Sequence, residues 1–292
     1  MNSVPDVFLD AVCFQLDRSD LECLKKTSTR WSSNAGAQNS KRRELKVFLD
    51  VNQEGSQVGI RIEDLKGNTL VSSAVQPKSD RFTLIEIGFG ELQQFPEEKS
   101  MEYFKKKVVP VLRSLVFKCT FSCATVARPY HRKISDLICS ALHGHSQLVN
   151  ITSGNLGGKC PEFIEHQVAL GHLKALSLRG DAWPEAVQAS LKSFVQSPRF
   201  QSLNLRWSNL TVDFDMVSCV VERFLKGNFT KSGKLLMGKL SFPIHSLADL
   251  HVEEQGEYKE WRRFRQLPAW TSSGRRLNAS YLPGKKGLRL YL

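Results

Sequence analysis

Long apolar runs are absent from this sequence. No stretch approaches the ~20 consecutive apolar residues that a membrane-spanning helix needs, so we expect no membrane partner. The start of the chain also lacks the basic residues of a secretory signal, and Asp6, Asp10 and Asp17 interrupt its apolar positions. These features predict a protein of the cytoplasm or the nucleus.

Cysteine is scarce and irregularly placed. The seven cysteines are an odd number without the spacing of a disulfide framework, and without a signal peptide we expect reduced thiols. Cys119 and Cys123 could be combined with His143 and His145 into a zinc site. The spacing fits no closed tetrahedral motif, however, and cysteines beside a buried strand are more often core residues. We therefore expect neither a metal nor a cofactor.

Signatures of catalysis are missing as well. The sequence has no Gly-x-Ser-x-Gly elbow and no phosphate-binding loop. The glycine-rich segment 154–158 lacks the lysine of a P-loop in the required place and follows a candidate strand, which favours a connecting loop. No Ser/His/Asp group stands out, although residues distant in sequence can still meet in a fold. We expect no enzymatic activity.

Positive charge is abundant. Lysine and arginine number 41 against 29 acidic residues, which gives a net charge of +12. The excess lies towards the C-terminus, where residues 231–292 hold twelve bases and five acids. Aromatic residues (Trp261, Phe264, Trp270, Tyr281) interleave there with Arg262, Arg263, Arg265, Arg275, Arg276, Lys285 and Lys286. This pattern occurs on nucleic-acid-binding surfaces and on ordinary solvated faces, so a basic scaffold that binds nucleic acid or protein stays open as an alternative.

The most informative stretch is residues 4–31, which begins with a helical pattern. Pro5 suits a helix start, where its missing N–H costs nothing. Apolar residues then recur four apart at Phe8, Val12 and Leu16, which places them on one helical face. The sequence therefore predicts a first helix with one apolar stripe.

Signals for two further short helices follow. Ser19 and Glu22 have the spacing of a capping box, and Leu21 and Leu24 lie on one face of the helix that this box would start. Ser28 can cap a third, short helix that carries Trp31. Helices in only about 30 residues cannot bury their apolar faces by themselves, so this stretch predicts a partner.

Residues 4–31 resemble the F-box, the adaptor-binding module of SCF-type ubiquitin ligases. The family pattern is Leu-Pro, leucines at helical spacing, Asp-Leu, and then Leu, Ser and Trp. Here Pro5, Asp20, Leu21, Ser28 and Trp31 stand in register, and a valine replaces the first leucine. The resemblance assigns the following positions to the interface with the SCF adaptor subunit or to its support: Val4, Pro5, Phe8, Val12, Leu16, Leu21, Leu24 and Trp31.

The sequence departs from that pattern after Trp31. Residues 32–40 are small and polar, which predicts a short or frayed third helix and a polar linker over residues 32–43. We therefore place an N-terminal module and its linker at residues 1–43.

Residues 44–100 have the alternation of β-strands. Apolar residues alternate with polar ones over 47–51 and 58–62, and turn signals lie at 52–55 and 66–68. Residues 81–88 read as a further strand. The simplest prediction is an antiparallel β-meander with one buried face.

Residues 101–292 contain an internal repeat. Leu173, Leu176 and Leu178 recur 27 residues later as Phe200, Leu203 and Leu205, with helical patterns near 160–172, 184–196 and 214–226. A strand and a helix every 20–29 residues is typical of leucine-rich repeats, although a plain α/β domain with coincidental spacing is also possible. Residues 112–142 and 235–242 look like irregular flanking units. Residues 217–236 are also similar to a short stretch of nematode F-box-associated domains.

The repeat strands offer a recognition face. Residues between the leucines point away from the core, and Arg179 and Arg206, being 27 apart, should stack as a short basic ladder that ends at Trp207. Trp and Arg dominate many binding interfaces, while polar residues on a solvated sheet are an equally reasonable interpretation. The predicted target-binding residues are Asn150, Ser177, Arg179, Asn204, Arg206 and Trp207.

Together these patterns predict an α+β or α/β protein: a small helical module, a β-meander and leucine-rich-repeat-like units. The F-box resemblance implies a substrate-recognition subunit of an SCF-type cullin–RING ubiquitin ligase. Such a chain would bind the SCF adaptor subunit through its first helices and an unidentified protein target through its C-terminal part. Nucleic-acid binding is the alternative.

Overall fold

The fold is known from a computed structural model that describes residues 4–88, 90, 92–123, 130–145, 147–229, 233–250, 269–272, 275–282 and 287–292. It is a mixed α/β structure built on a single 14-stranded sheet. The path of the sheet, named by strands defined below, runs β12-β13-β14-β11-β9-β8-β7-β6-β4-β1-β2-β3, with β5 and β10 attached beside it. The coarse α/β prediction is confirmed.

Three helices form the N-terminal module, as predicted: α1 (Asp6–Gln15), α2 (Arg18–Leu24) and α3 (Thr29–Lys41). The prediction of a polar linker over residues 32–43 is wrong, because the 13-residue helix α3 continues through it as far as Lys41. Ala35 is completely buried in a small core with Cys13 and Leu21. The small side chains that suggested a loop instead allow α3 to pack closely against the first two helices.

The start of α2 differs from the predicted capping box. The N-cap is Asp17, whose carboxylate accepts the backbone N–H of Asp20 at 2.8 Å, while the Asp20 carboxylate accepts the N–H of Asp17 at 3.4 Å. Ser19 donates its hydroxyl to Asp17 at 2.6 Å. Carboxylates are favoured here because each of the two accepts one free N–H group and lies at the positive end of the helix dipole.

The next five strands are only partly a meander: β1 (Arg43–Val51), β2 (Gln57–Asp64), β3 (Thr69–Leu70), β4 (Asp80–Ile87) and β5 (Glu97–Ser100). Strands β1 and β2 pair antiparallel around the predicted turn, but β4 pairs with β1 in parallel. Buried Asp80 explains this, because it accepts the Arg43 guanidinium at 2.7 and 2.8 Å and the Gln76 N–H at 2.6 Å. These bonds hold the start of β4 beside the start of β1.

Strand–helix units make up most of the remaining chain. A helical segment of α4 (Met101–Tyr103), a π-helical turn (Phe104–Val108) and α5 (Val109–Leu115) leads into them. The units are β6 (Val116–Cys123), α6 (His131–Leu142), β7 (Leu148–Gly154), α7 (Cys160–Ala169), β8 (Ala175–Gly180), α8 (Glu185–Gln196), β9 (Ser202–Ser208), β10 (Thr211–Val212), α9 (Phe214–Leu225) and β11 (Lys234–Leu240). Antiparallel strands β12 (Ala269–Ser272), β13 (Arg275–Leu282) and β14 (Gly287–Tyr291) finish the sheet.

Neighbouring parallel strands place buried apolar residues side by side, and the 27-residue period keeps its register only between β8 and β9, where Leu176 pairs with Leu203. Ile151 pairs with Leu176, 25 residues later, and Leu236 lies 33 residues after its partner Leu203. Ile151, Leu176, Leu203 and Leu236 are register partners on four neighbouring parallel strands, and each is at most 1% exposed. Strands β6, β7, β8, β9 and β11 follow one another in chain order. Because crossovers of this kind are right-handed, a chain that always moves in one direction places all its helices on one face of the sheet. The opposite face of these strands is free of repeat helices.

One hydrophobic core extends from Leu45 to Leu290 beneath that helix layer. The boundary predicted at residue 100 therefore falls inside a continuous core, whereas the small core of the N-terminal module is a separate cluster. Within the described ranges, no helix is both long and apolar enough to cross a membrane.

Candidate functional site

The first candidate surface is the exposed side of α1, which we call the α1 apolar surface and define by Val7 and Phe8. These side chains are 80% and 54% exposed, whereas Leu9 and Cys13 of the same helix are buried. Of the predicted stripe, Phe8 is thus exposed over about half of its side chain, while Val12 and Leu16 are half-buried. The helix is rotated relative to the simple four-residue pattern because its inner face is set by Leu9 and Cys13.

The other predicted adaptor-binding residues divide by burial. Pro5 is exposed and Val4 is half-buried beside the α1 apolar surface. Leu21 is completely buried, and Leu24 and Trp31 pack partly buried against the same small core. These last three side chains support the module rather than extend the exposed surface.

Two buried arginines attach the module to the sheet. Arg42 donates to the carbonyl oxygens of Cys13 at 2.9 Å and Phe14 at 3.2 Å, and also to that of Leu16. Arg81, from the start of β4, donates to the Phe14 carbonyl at 3.0 Å, and its guanidinium lies 3.1 Å from the centre of the Phe14 ring. The carbonyls at the end of α1 carry partial negative charge, so this arrangement compensates two cations that would otherwise be costly to bury.

Burial lowers the pKa of both arginines. Desolvation lowers the pKa of Arg81 to about 10, and it also lowers the pKa of Arg42. Arg81 therefore stays charged at neutral pH. Sequence reasoning placed Arg42 in a linker, and nothing local in the sequence links Arg81 to a helix 67 residues earlier.

An ion pair adds a second attachment. Lys118 of β6 contacts the carboxylate of Asp17, the N-cap of α2. The hydrogen bond from Lys118, followed by those from Ser19 and the Asp20 N–H, holds the pKa of Asp17 well below its usual range. The backbone of Lys118 has a positive φ of 43°. Residues other than glycine rarely adopt this conformation. The module is therefore attached to the sheet by the buried arginines, by this ion pair and by a further ion pair between Arg18 of α2 and Glu44 of β1 at 3.3 Å.

The second candidate surface is the helix-free face of the parallel strands. Ser122, Thr152, Ser177 and Asn204 are register partners across β6, β7, β8 and β9, and all are half-buried. Two of the predicted target-binding residues are partly engaged within the protein. Asn150 donates to the Thr120 hydroxyl at 3.0 Å, and the Asn204 side chain accepts the Arg206 N–H at 3.1 Å.

A β-bulge alters the predicted basic ladder. Ser177 pairs with Asn204, but Arg179 then pairs with Trp207 instead of Arg206. The register shift adds one residue to β9 between Asn204 and Trp207, as bulges do, and Arg206 lies within this stretch. The Arg206 guanidinium lies 5.0 Å from the Trp207 ring centre, and Trp207 is 49% exposed. The two arginines share this region, but in a cluster with tryptophan and not in a regular ladder.

Strand β14 brings a third arginine that sequence reasoning missed. Arg289 pairs with Met237 of β11, which pairs with Asn204 of β9, so all three side chains lie on the same face. We call Arg179, Arg206 and Arg289 the arginine strip. No ion pair joins any of them to a carboxylate within the described part of the chain, and each has a buried Nε without a hydrogen-bond partner.

The cysteine and histidine residues considered for a zinc site do not come together. Cys119 and Cys123 are buried in β6, and His143 stacks on His166 with ring centres 3.9 Å apart. No group of three potential ligands capable of holding a metal occurs among the residues that the structure describes.

An acidic residue of α6 lies against the glycine-rich loop at 154–158, where a P-loop would hold phosphate. The Asp136 carboxylate accepts the Lys159 N–H at 2.7 Å, and it lies 2.3 Å from where a Cβ on Gly158 would be. A phosphate would meet a negative charge here, which supports the prediction of a connecting loop.

Most of the C-terminal basic and aromatic segment falls outside the described residues, including Trp261, Phe264, Arg262, Arg263, Arg265, Lys285 and Lys286. Trp270 is described and is buried, with its indole N–H donating to the Leu250 carbonyl at 3.2 Å. This tryptophan packs into the core and is not available for base stacking.

Comparison with models of known protein families finds no match, and comparison with curated proteins finds none.

Proposed function

We propose that this chain is the substrate-recognition subunit of an SCF-type cullin–RING ubiquitin ligase, acting in the cytoplasm or nucleus. In this proposal α1, α2 and α3 bind the SCF adaptor subunit, and the sheet domain binds a protein target. The observation that carries it is the α1 apolar surface, which exposes Val7 and Phe8 within the stretch that resembles an F-box.

The energetics of the α1 apolar surface favour a protein partner. Fully burying a side chain such as Phe or Val contributes about 1.5–3 kcal/mol. Phe8 is little more than half-exposed in the free chain, so a partner would cover the exposed half of its side chain. Pro5 and the half-buried Val4 and Val12 lie beside it in the sequence and extend the area that a partner could cover.

The rigid attachment of the module suits the proposed mechanism. A subunit of this kind acts by proximity, since it holds a target near the charged ubiquitin carrier and performs no bond chemistry itself. That role requires a fixed relation between the adaptor-binding helices and the target-binding sheet. The contacts of Arg42 and Arg81 with α1, and of Lys118 with Asp17, supply it.

We also propose that the units from β6 to β11 are a short leucine-rich-repeat-like array. The 27-residue period, the strands in chain order and the single helix layer support this assignment. Its helix-free sheet face would then be the recognition surface for the target.

The adaptor-binding proposal is tested by co-purification of the full chain with the SCF adaptor subunit. We expect stable one-to-one binding, and a loss of about 10- to 100-fold in affinity for Phe8→Glu, since a buried phenylalanine would be replaced by a charge. The matched control is Leu65→Glu, because Leu65 is 56% exposed in the turn between β2 and β3. Equal binding by the two variants would contradict the proposal.

A further inference from the structure

The arginine strip is unusual among the charged groups on the helix-free face. Arg61, on the same face at the far side of the sheet, is paired with Glu63 at 3.2 Å and stacks on Phe48 with its guanidinium 4.7 Å from the ring centre. Arg179, Arg206 and Arg289 have no such carboxylate among the described residues. Three cations gathered on strands β8, β9 and β14 without counter-charges create a local positive potential that favours an anionic ligand.

We infer that the arginine strip binds an acidic segment of a partner protein in extended form, with carboxylates on the three guanidinium groups and an apolar side chain against Trp207. This deepens the proposed function, because the segment would belong to the target. Arginine suits the role, since its planar fork binds carboxylates with two parallel hydrogen bonds.

The neighbouring residues define the size and polarity of the ligand. Next to the strip, a row of uncharged side chains crosses the sheet from β9 to β6. It consists of Asn204, Ser177, Thr152 and Ser122, and the next register partner, on β4, is Glu86. Strands lie about 4.8 Å apart, so the distance from β14 to β6 is about 24 Å, which an extended segment of about seven residues spans. A ligand on this path should be acidic at the strip and uncharged towards Glu86.

This distribution of charge favours a peptide over a nucleic acid. A polynucleotide carries a charge on every unit, so one that crossed this face would place phosphates near Glu86 and over the uncharged row. Binding to single strands usually combines a long basic groove with several stacking aromatics. Here the three cations of the arginine strip occupy one end of the face, Arg61 at the other end is paired with Glu63, and Trp207 is the exposed aromatic side chain beside the strip.

The test starts from a random library of eight-residue peptides displayed on phage, with the immobilised full chain as bait. We expect enrichment of peptides with two or three Asp or Glu residues clustered in one half. The most enriched peptide is then titrated by fluorescence anisotropy. Replacing its acidic residues by amides should weaken binding at least about tenfold, the effect of losing charge-assisted hydrogen bonds.

Matched variants locate the site. We expect Arg179→Gln with Arg289→Gln, and separately Arg206→Gln alone, to weaken binding of this peptide. The control pair is Arg132→Gln with Arg199→Gln, which removes the same charge from an exposed site on α6 and an exposed loop before β9 and should leave binding unchanged. Circular dichroism spectra confirm that each variant is folded.

Three results would overturn the inference. They are a selection without acidic enrichment, an equal loss in the control pair, and tighter binding of a twelve-nucleotide single-stranded RNA than of any selected peptide. The assay contains no SCF adaptor. A failure of adaptor binding would be seen only in the co-purification experiment, and it would not change the result of the peptide titration.

Discussion

The guanidinium of Arg81 lies 3.1 Å from the centre of the Phe14 ring and donates a hydrogen bond to the carbonyl of the same residue at 3.0 Å. One side chain from the start of β4 thereby contacts both the ring and the backbone at the end of α1. This relationship, together with the contacts of Arg42, fixes the N-terminal module on the sheet domain.

Removing the Arg81 side chain should loosen that attachment. We expect Arg81→Ala to lower the free energy of unfolding by about 2–4 kcal/mol, because it removes a hydrogen bond, a cation–π contact and buried packing. Urea unfolding followed by circular dichroism measures the loss. Arg132→Ala, at an exposed site, should change stability by less than about 0.5 kcal/mol. Equal effects of the two variants would show that the Arg81 contacts contribute little.

Hydrogen exchange tests where that effect is located. In Arg81→Ala, the backbone amides of residues 9–16 should exchange faster, while those of β8 and β9 keep their protection, because the module core is separate from the main core. Uniformly faster exchange over the whole chain would contradict a local role.

The Asp17–Lys118 pair predicts a dependence of stability on pH. Folding lowers the pKa of Asp17 below its unfolded value of about 3.9, so the stabilisation is present above that pH and is lost as pH falls towards the folded pKa. Asp17→Asn keeps a good N-cap but removes the charge. At pH 7 it should cost up to about 1 kcal/mol, since both partners are partly exposed. The difference from wild type should shrink when the urea midpoint is measured at pH 3, and a constant difference would exclude the ion pair as its cause.

Thiol reactivity should single out one cysteine. Cys23 is exposed, Cys219 is half-buried and the other five are buried. Burial also raises the pKa of the Cys119 and Cys13 thiols, and thiols react as thiolates. We expect one fast-reacting thiol with a disulfide reagent at pH 8 in the folded chain and none in Cys23→Ser. Any fast-reacting thiol in that variant would contradict the described packing.

The close approach of β10 to β11 can be tested at Gly238. A Cβ at this position would lie 2.8 Å from Cγ2 of Val212 and 3.1 Å from Cβ of Leu205. We expect Gly238→Ala to destabilise the fold by about 1–3 kcal/mol through overpacking, as measured by thermal unfolding. Gly233→Ala is the matched control, because no heavy atom lies within 4 Å of its added Cβ. Similar melting temperatures for the two variants would rule out this close contact.

Sequence patterns predicted those helices and strands whose signal comes from residues close together in the chain. The repeat strands were predicted because leucines recur at a fixed period, and the first helices because apolar residues and caps recur at helical spacing. The extent of α3 was missed because packing of Ala35, a tertiary effect, outweighs the loop-like composition of residues 32–40. The parallel pairing of β4 depends on Asp80 meeting Arg43, 37 residues earlier.

The candidate surfaces likewise combine features that local sequence patterns indicate with features that depend on contacts between distant residues. Phe8 lies on the exposed side of α1 and Arg179 on the helix-free face, as helix and strand periodicity indicated, and their roles in binding stay predictions. The bulge at Trp207 and the arrival of Arg289 from β14 depend on register between distant strands, which no local pattern encodes. The contacts of Arg81 with α1 belong to the same class.

The most direct test of the central claim is light scattering coupled to size-exclusion chromatography, with the full chain and the SCF adaptor subunit mixed at equal concentration. Our account predicts one peak with the mass of a one-to-one complex, which Phe8→Glu separates into two peaks and Leu65→Glu leaves intact. Two separate peaks with the folded wild-type chain would contradict the claim and would leave residues 4–31 as a helical module of the protein's own structure.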